Sequence, residues 1–131
     1  MRAAIALAVA ILLTGCSAAT PSSSPTENPN RAACSDASAV SRDLAARIVK
    51  GSNSSNASEF KSTMESMRGR FDEAGLEGSG DVKVRIESLV ANLPDQMFLL
   101  FVDHSQYFQD LASINRACKA DGVSVQFYTW G

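Results

Sequence analysis

The chain has 131 residues, 45% of them hydrophobic, with 12 basic and 14 acidic side chains. That length holds one domain of ordinary size with short appendages. A formal charge of −2 with no basic stripe argues against nucleic acid as a partner.

Met1-Arg2 is followed by eleven residues, 3–13, that are all Ala, Ile, Leu or Val. A short positive start, an apolar core and small residues after it describe a secretory signal peptide. As a helix the run would cover about 16 Å at ~1.5 Å per residue, roughly half of the ~30 Å hydrocarbon core, so a membrane span is not expected. Thr14-Gly15-Cys16 follows directly.

Leu13-Thr14-Gly15-Cys16 resembles the lipobox of bacterial lipoproteins: Leu, a small or hydroxyl residue, Gly or Ala, then Cys. The resemblance covers about the first 20 residues. It implies cleavage between Gly15 and Cys16, a diacylglyceryl thioether on Cys16 and a further acyl chain on the new amino group. Two or more chains hold a protein stably on a membrane where one does not. The expected organisation is a signal peptide over 1–15, a lipidated cysteine with a linker over 16–33, and a domain over 34–131. The expected location is extracytoplasmic. In a monoderm host that is the outer face of the cytoplasmic membrane. In a diderm host it is the outer membrane, because Ser17 is not the aspartate that retains lipoproteins inside. The Ala-rich composition and layout are also similar to small uncharacterised lipoproteins of high-GC Gram-positive bacteria, a likeness that brings no functional residues with it.

Residues 17–33 carry Ser, Thr or Pro at nine of seventeen positions. No apolar periodicity is present, so the segment is expected to be a disordered linker. Ser35-Asp36 then supply an N-cap and an early negative charge for a first helix. Val40, Leu44 and Ile48 recur on its face beside Ala37 and Ala45, and Gly51 to Ser55 ends it. Asn56 with Glu59 forms a capping box for a second helix. Its apolar face is Phe60, Met64, Met67, Phe71 and Ala74, closed by Gly75 and by Gly78-Ser79-Gly80. Val82, Ile86, Leu89 and Leu93 fit a third helix. A strand over 82–87 explains fewer of the same residues. Pro94 marks the break after it.

The fourth segment is expected to be one long helix with Met97, Leu100, His104, Tyr107, Leu111, Ile114 and Cys118 on its inner face. Asp121-Gly122 stops it. The tail from Val123 begins with strand-like alternation. Four amphipathic helices with short connections predict an all-α, up-down-up-down bundle with an extended C-terminal tail. The rival is an α+β domain using 81–87, 96–102 and 123–130 as strands. In a bundle, Cys34 before helix one and Cys118 at the end of helix four fall at the same end. With Cys16 committed to lipid they form an even pair, for which a disulfide is the default in an exported protein. The bond would enclose roughly 85 residues and stabilise the fold by at most about 4–5 kcal/mol.

Little in the chain points to catalysis. The single histidine, His104, falls within the apolar stripe and reads as a core residue hydrogen-bonded to a neighbouring helix. A zinc site would need more His or Cys, and a di-iron bundle would need Glu-x-x-His. Haem held between His104 and Met64, Met67 or Met97 lacks an attachment motif, and methionine at these spacings is ordinary core filler. There is no Gly-x-Ser-x-Gly and no phosphate-binding glycine loop. No cofactor and no catalytic residue is therefore expected. The sequons at Asn53 and Asn56 need no reading in a bacterial lipoprotein.

The surplus is apolar. Met97 to Val102 are six apolar residues in a row, and Phe98, Leu99 and Val102 fall outside the main stripe. The tail adds Phe127, Tyr128 and Trp130. Two arrangements are open: the tail folds back over Phe98, Leu99 and Val102, or these residues form a surface for a partner or for self-association. The expected role is a non-catalytic interaction or structural module tethered to a membrane. The alternative is a carrier for a small apolar ligand or lipid in the bundle core.

Overall fold

The structure is a computed structural model and describes residues 27–51 and 56–131. Residues 1–26, over which a signal peptide, the lipidated Cys16 and most of a linker are expected, lie outside the described residues, as do 52–55 with the Asn53 sequon.

Four α-helices follow in order: α1 Asn30–Gly51, α2 Ala57–Glu77, α3 Gly80–Asn92 and α4 Ser105–Ala120, with a short 3₁₀ turn at Met97–Phe101. Each helix packs on the next, and α1 also meets α4. The all-α bundle is therefore the fold, and the segment over 82–87 is helical. Cys34 and Cys118 are joined, with Cα atoms 6.0 Å apart and 84 residues between them in sequence. Both are fully buried in one core with Leu44, Met64, Phe71, Ile86, Met97, Leu111 and Ile114. Apart from His104, and with Phe60 only partly buried, the apolar stripes read from the sequence are the residues that close this core.

The first helix begins earlier than Ser35-Asp36 suggests, four residues before Cys34 rather than after it. Asn28 starts it: its side-chain oxygen accepts the Asn30 backbone N–H at 2.9 Å. Pro29 then sits where a missing N–H costs nothing. Asn28-Pro29 is a start signal that the surrounding Ser, Thr and Pro conceal.

Asn30 is 4% exposed. Its amide nitrogen donates to the Asp121 carboxylate. Its amide oxygen accepts from the Ser79 backbone N–H at 2.7 Å and from the Ser79 hydroxyl at 3.2 Å. One side chain thus ties the start of α1 to the α2–α3 turn and to the end of α4. Asn30→Ala leaves these groups unpaired. The expected loss is about 1–3 kcal/mol, read as a lower urea midpoint with an unchanged m-value.

Asn56 caps α2: its side-chain oxygen accepts the Glu59 N–H at 3.1 Å, one half of the capping box. Gly75, by contrast, does not close α2. It lies inside the helix, where an added Cβ would stand 3.2 Å from Ile86 Cγ2, so it brings α3 close. The stop is Gly78, and the turn continues through Gly80 at φ +56°.

The fourth segment is not one helix. Met97–Phe101 is a 3₁₀ turn, and α4 begins only at Ser105. A continuous helix would carry six successive apolar residues right round its circumference. The 3₁₀ period instead buries Met97 and Leu100, three residues apart, half-buries Phe98 and leaves Leu99, Phe101 and Val102 outward. α2 holds the turn in place. Glu65 Oε1 accepts the Met97 N–H at 3.0 Å, and the Arg68 guanidinium donates to the carbonyls of Val90, Leu93 and Pro94. Asp103 then starts α4 by accepting from the Ser105 N–H and hydroxyl, and these bonds hold its carboxyl below the usual range.

Candidate functional site

Two surfaces follow from this arrangement. The first is the end of the bundle opposite the disulfide. There Leu99, Phe101 and Val102 are 42%, 53% and 79% exposed. Phe98 is half-buried beside them. Together with Gly51 and Phe60, residues Phe98, Phe101 and Val102 line an apolar groove of about 310 Å³. The groove exists because the 3₁₀ turn cannot bury all of its side chains against α2.

The second surface is the groove between α1 and α4, which the C-terminal tail occupies as a strap. The Val123 N–H donates to Cys118 O at 2.8 Å. From there the chain runs back along α4 until the Trp130 ring meets His104, just before the helix begins. Seven extended steps of ~3.3 Å cover about 23 Å, matching sixteen helical residues at ~1.5 Å each. Val123 is buried, while Val125, Phe127 and Trp130 pack on the core with part of their surface in water. Ser124, Gln126 and Thr129 face outward. From α1, the Ser38 hydroxyl donates to Gln126 O, and Ser41 Oγ accepts the Tyr128 N–H at 3.1 Å.

The six residues read as one apolar surface therefore separate. Phe98, Leu99 and Val102 stand at the 3₁₀ turn, whereas Phe127, Tyr128 and Trp130 belong to the strap. The tail does fold back, but over the α1–α4 groove, and it leaves Leu99 and Val102 uncovered. The hydroxyls of Ser38 and Ser41 direct it there, and neither residue stands out in an apolar pattern.

His104 departs from its expected place. It sits half-buried just before α4, and its Nδ1 finds no hydrogen-bond partner. Its ring lies 4.5 Å from that of Phe108 and 5.5 Å from that of Trp130. Tyr107 stacks on Trp130 at 5.5 Å, and burial pushes its phenol far above the ordinary value. The Tyr107 hydroxyl and Trp130 Nε1 are likewise buried without partners. Each such group costs about 1–3 kcal/mol of lost hydration. Packing at the end of the strap is therefore offset by three unpaired polar atoms.

A charged groove of about 200 Å³ between α1 and α2 is lined by Asp36, Arg70, Glu73 and Glu77 among others. Arg70 reaches Asp43 at 2.9 Å. A hydrogen bond with Asp36, and repulsion from Asp36 and Glu73, raise the Glu77 carboxyl above its usual value. A raised carboxyl binds its proton more tightly in the folded state, so its contribution is present at low pH and lost as pH rises through the folded value. Glu77→Gln is expected to melt at or above the parent temperature near neutral pH. Thermal melts at successively lower pH should show that gap closing. A gap that widens with acid contradicts the assignment.

Among the described residues no group of three or more His, Cys, Asp or Glu is arranged to hold a metal ion. No described helix is long and apolar enough to cross a membrane. No family model matches the chain, and neither a curated protein nor a solved structure matches it.

Proposed function

We propose that the chain is a membrane-anchored extracytoplasmic lipoprotein, lipidated at Cys16, whose helical domain is a non-catalytic interaction module. The observation that carries this reading is the placing of the exposed apolar side chains. The chain enters the domain at Asn30, beside the disulfide, and α1 runs to Gly51, which lines the apolar groove. Twenty-two helical residues cover about 33 Å at ~1.5 Å each. A domain tethered through residues 16–29 thus holds Leu99, Phe101 and Val102 at the end remote from its attachment, where a partner has access.

The anchor is tested by intact mass and membrane fractionation after expression in a bacterial host. Cys16→Ala should stay uncleaved and lose its acyl mass. A soluble, unacylated parent chain would overturn the anchor. The module is tested by cross-linking on membranes with parent and Val102→Asp chains. Val102 is largely exposed, so the variant should fold normally and lose its adduct.

A second reading, a carrier for a small apolar ligand, draws on the same 310 Å³ groove. Native mass spectrometry separates the two. A retained lipid mass that is lost in Phe101→Asp favours the carrier, and a clean apo mass favours the module.

A further inference from the structure

The strap is seated on the helices as a bound peptide would be. Val123, Val125 and Phe127 turn inward at every second position, and Trp130 anchors the far end among His104, Tyr107 and Phe108. The two hydroxyls of α1 touch only its backbone, at Gln126 O and the Tyr128 N–H. We propose that the α1–α4 groove is a peptide-binding groove, normally filled by the chain's own strap, and that the strap of a second copy takes its place, so that two chains join by exchanging straps. This goes beyond the anchoring and the apolar end, and depends on neither.

Three observations support exchange. The strap follows Gly122, whose φ is +78° and beside which an added Cβ would meet nothing. Gly122 adopts this left-handed conformation without strain and leaves room for the segment to swing outward. The Cys34–Cys118 bond holds α1 to α4 at the hinge end whether or not the strap is seated. The closed state also buries His104 Nδ1 and Trp130 Nε1 without hydrogen-bond partners where the two rings meet, and release of the strap separates those rings. The segment that fits the groove is known from the molecule itself. A strap in trans makes every contact that the strap in cis makes, so concentration decides between them.

The test uses the full chain, solubilised in detergent, and a dye-labelled peptide of residues 122–131. A chain carrying Phe127→Ala and Trp130→Ala, with its helical circular dichroism intact, should bind the peptide saturably. The parent should bind it at least tenfold more weakly, because its tethered strap competes. Absence of binding to the folded variant, or equal binding to both, overturns the proposal. A second measurement keeps the test decisive if the variant does not fold. Parent chains labelled with a donor at Gly131→Cys are mixed with chains labelled with an acceptor at Val102→Cys. Energy transfer should grow with concentration and disappear with excess unlabelled peptide. Absent transfer, or transfer that the peptide does not reduce, as in a dimer joined through the apolar end, overturns exchange.

Discussion

Replacing Cys34 and Cys118 together with alanine is expected to cause the largest loss of stability of any change proposed for this protein. The bond spans 84 residues, so its removal releases almost the whole described chain in the unfolded state. The chain-entropy relation puts that at about 4–5 kcal/mol, and measured losses for native disulfides run from about 2 kcal/mol upward. The helices themselves do not depend on the bond, since each has its own apolar face. Urea unfolding should therefore show a much lower midpoint with near-parent helical content at zero denaturant. A variant within about 0.5 kcal/mol of the parent would mean that the chain ends are already held in the unfolded state. Asn30 acts at the same end, bonding to Asp121 three residues after Cys118. The two effects should not be additive, because losing the disulfide also loosens the ends that Asn30 joins.

Ending the chain at Gly122 is the second large effect. It removes one fully buried residue, Val123, and the partly buried Val125, Phe127 and Trp130. Burial of these side chains stabilises by several kcal/mol, reduced by the unpaired His104 Nδ1 and Trp130 Nε1 where the strap meets α4. A net loss of about 3 kcal/mol is expected, which lowers the melting temperature by roughly 10–25 °C for a domain of this size. Unchanged stability would remove the structural role of the strap. The same figure bears on exchange. At about 3 kcal/mol, fewer than one chain in roughly 100 has its strap open at any moment, by the relation of ~1.4 kcal/mol per tenfold. Strap exchange is then slow and driven by concentration. The truncated chain, with its groove empty, should bind the 122–131 peptide in place of its own tail.

Much of the architecture was legible because helix-period patterns and a cysteine pair constrain few topologies. Val40-Leu44-Ile48, Met64-Met67-Phe71 and Val82-Ile86-Leu89 each describe one helical face, and all nine are buried. Cys34 and Cys118 meet because four short-connected helices bring the start of the first and the end of the last to one end. Where the period misled, a three-dimensional conflict prevailed. Met97 to Val102 continues the spacing of α4, but a helix buries one face and not six successive residues, so the chain tightens into a 3₁₀ turn that Glu65 and Arg68 hold from α2. That displacement takes His104 from the middle of a helix to its beginning and leaves Leu99 and Val102 exposed.

The same contrast holds for the two surfaces. The apolar surplus of the 3₁₀ segment and of the tail is visible in the sequence, since it exceeds what four helical faces require. Its division into an open end and a covered groove is not, because Ser38 and Ser41 guide the strap through single hydroxyls that leave no periodic trace. By itself the sequence determined the helices, their buried faces, the disulfide pair and the lipobox resemblance at Cys16, all of which rest on local chemistry or on a simple period. Only the tertiary structure decided where α1 and α4 begin, which apolar residues stay in water and where the tail lies, because each depends on partners far apart in the chain: Asn30 with Asp121 and Ser79, Arg68 with Pro94, and Ser41 with Tyr128.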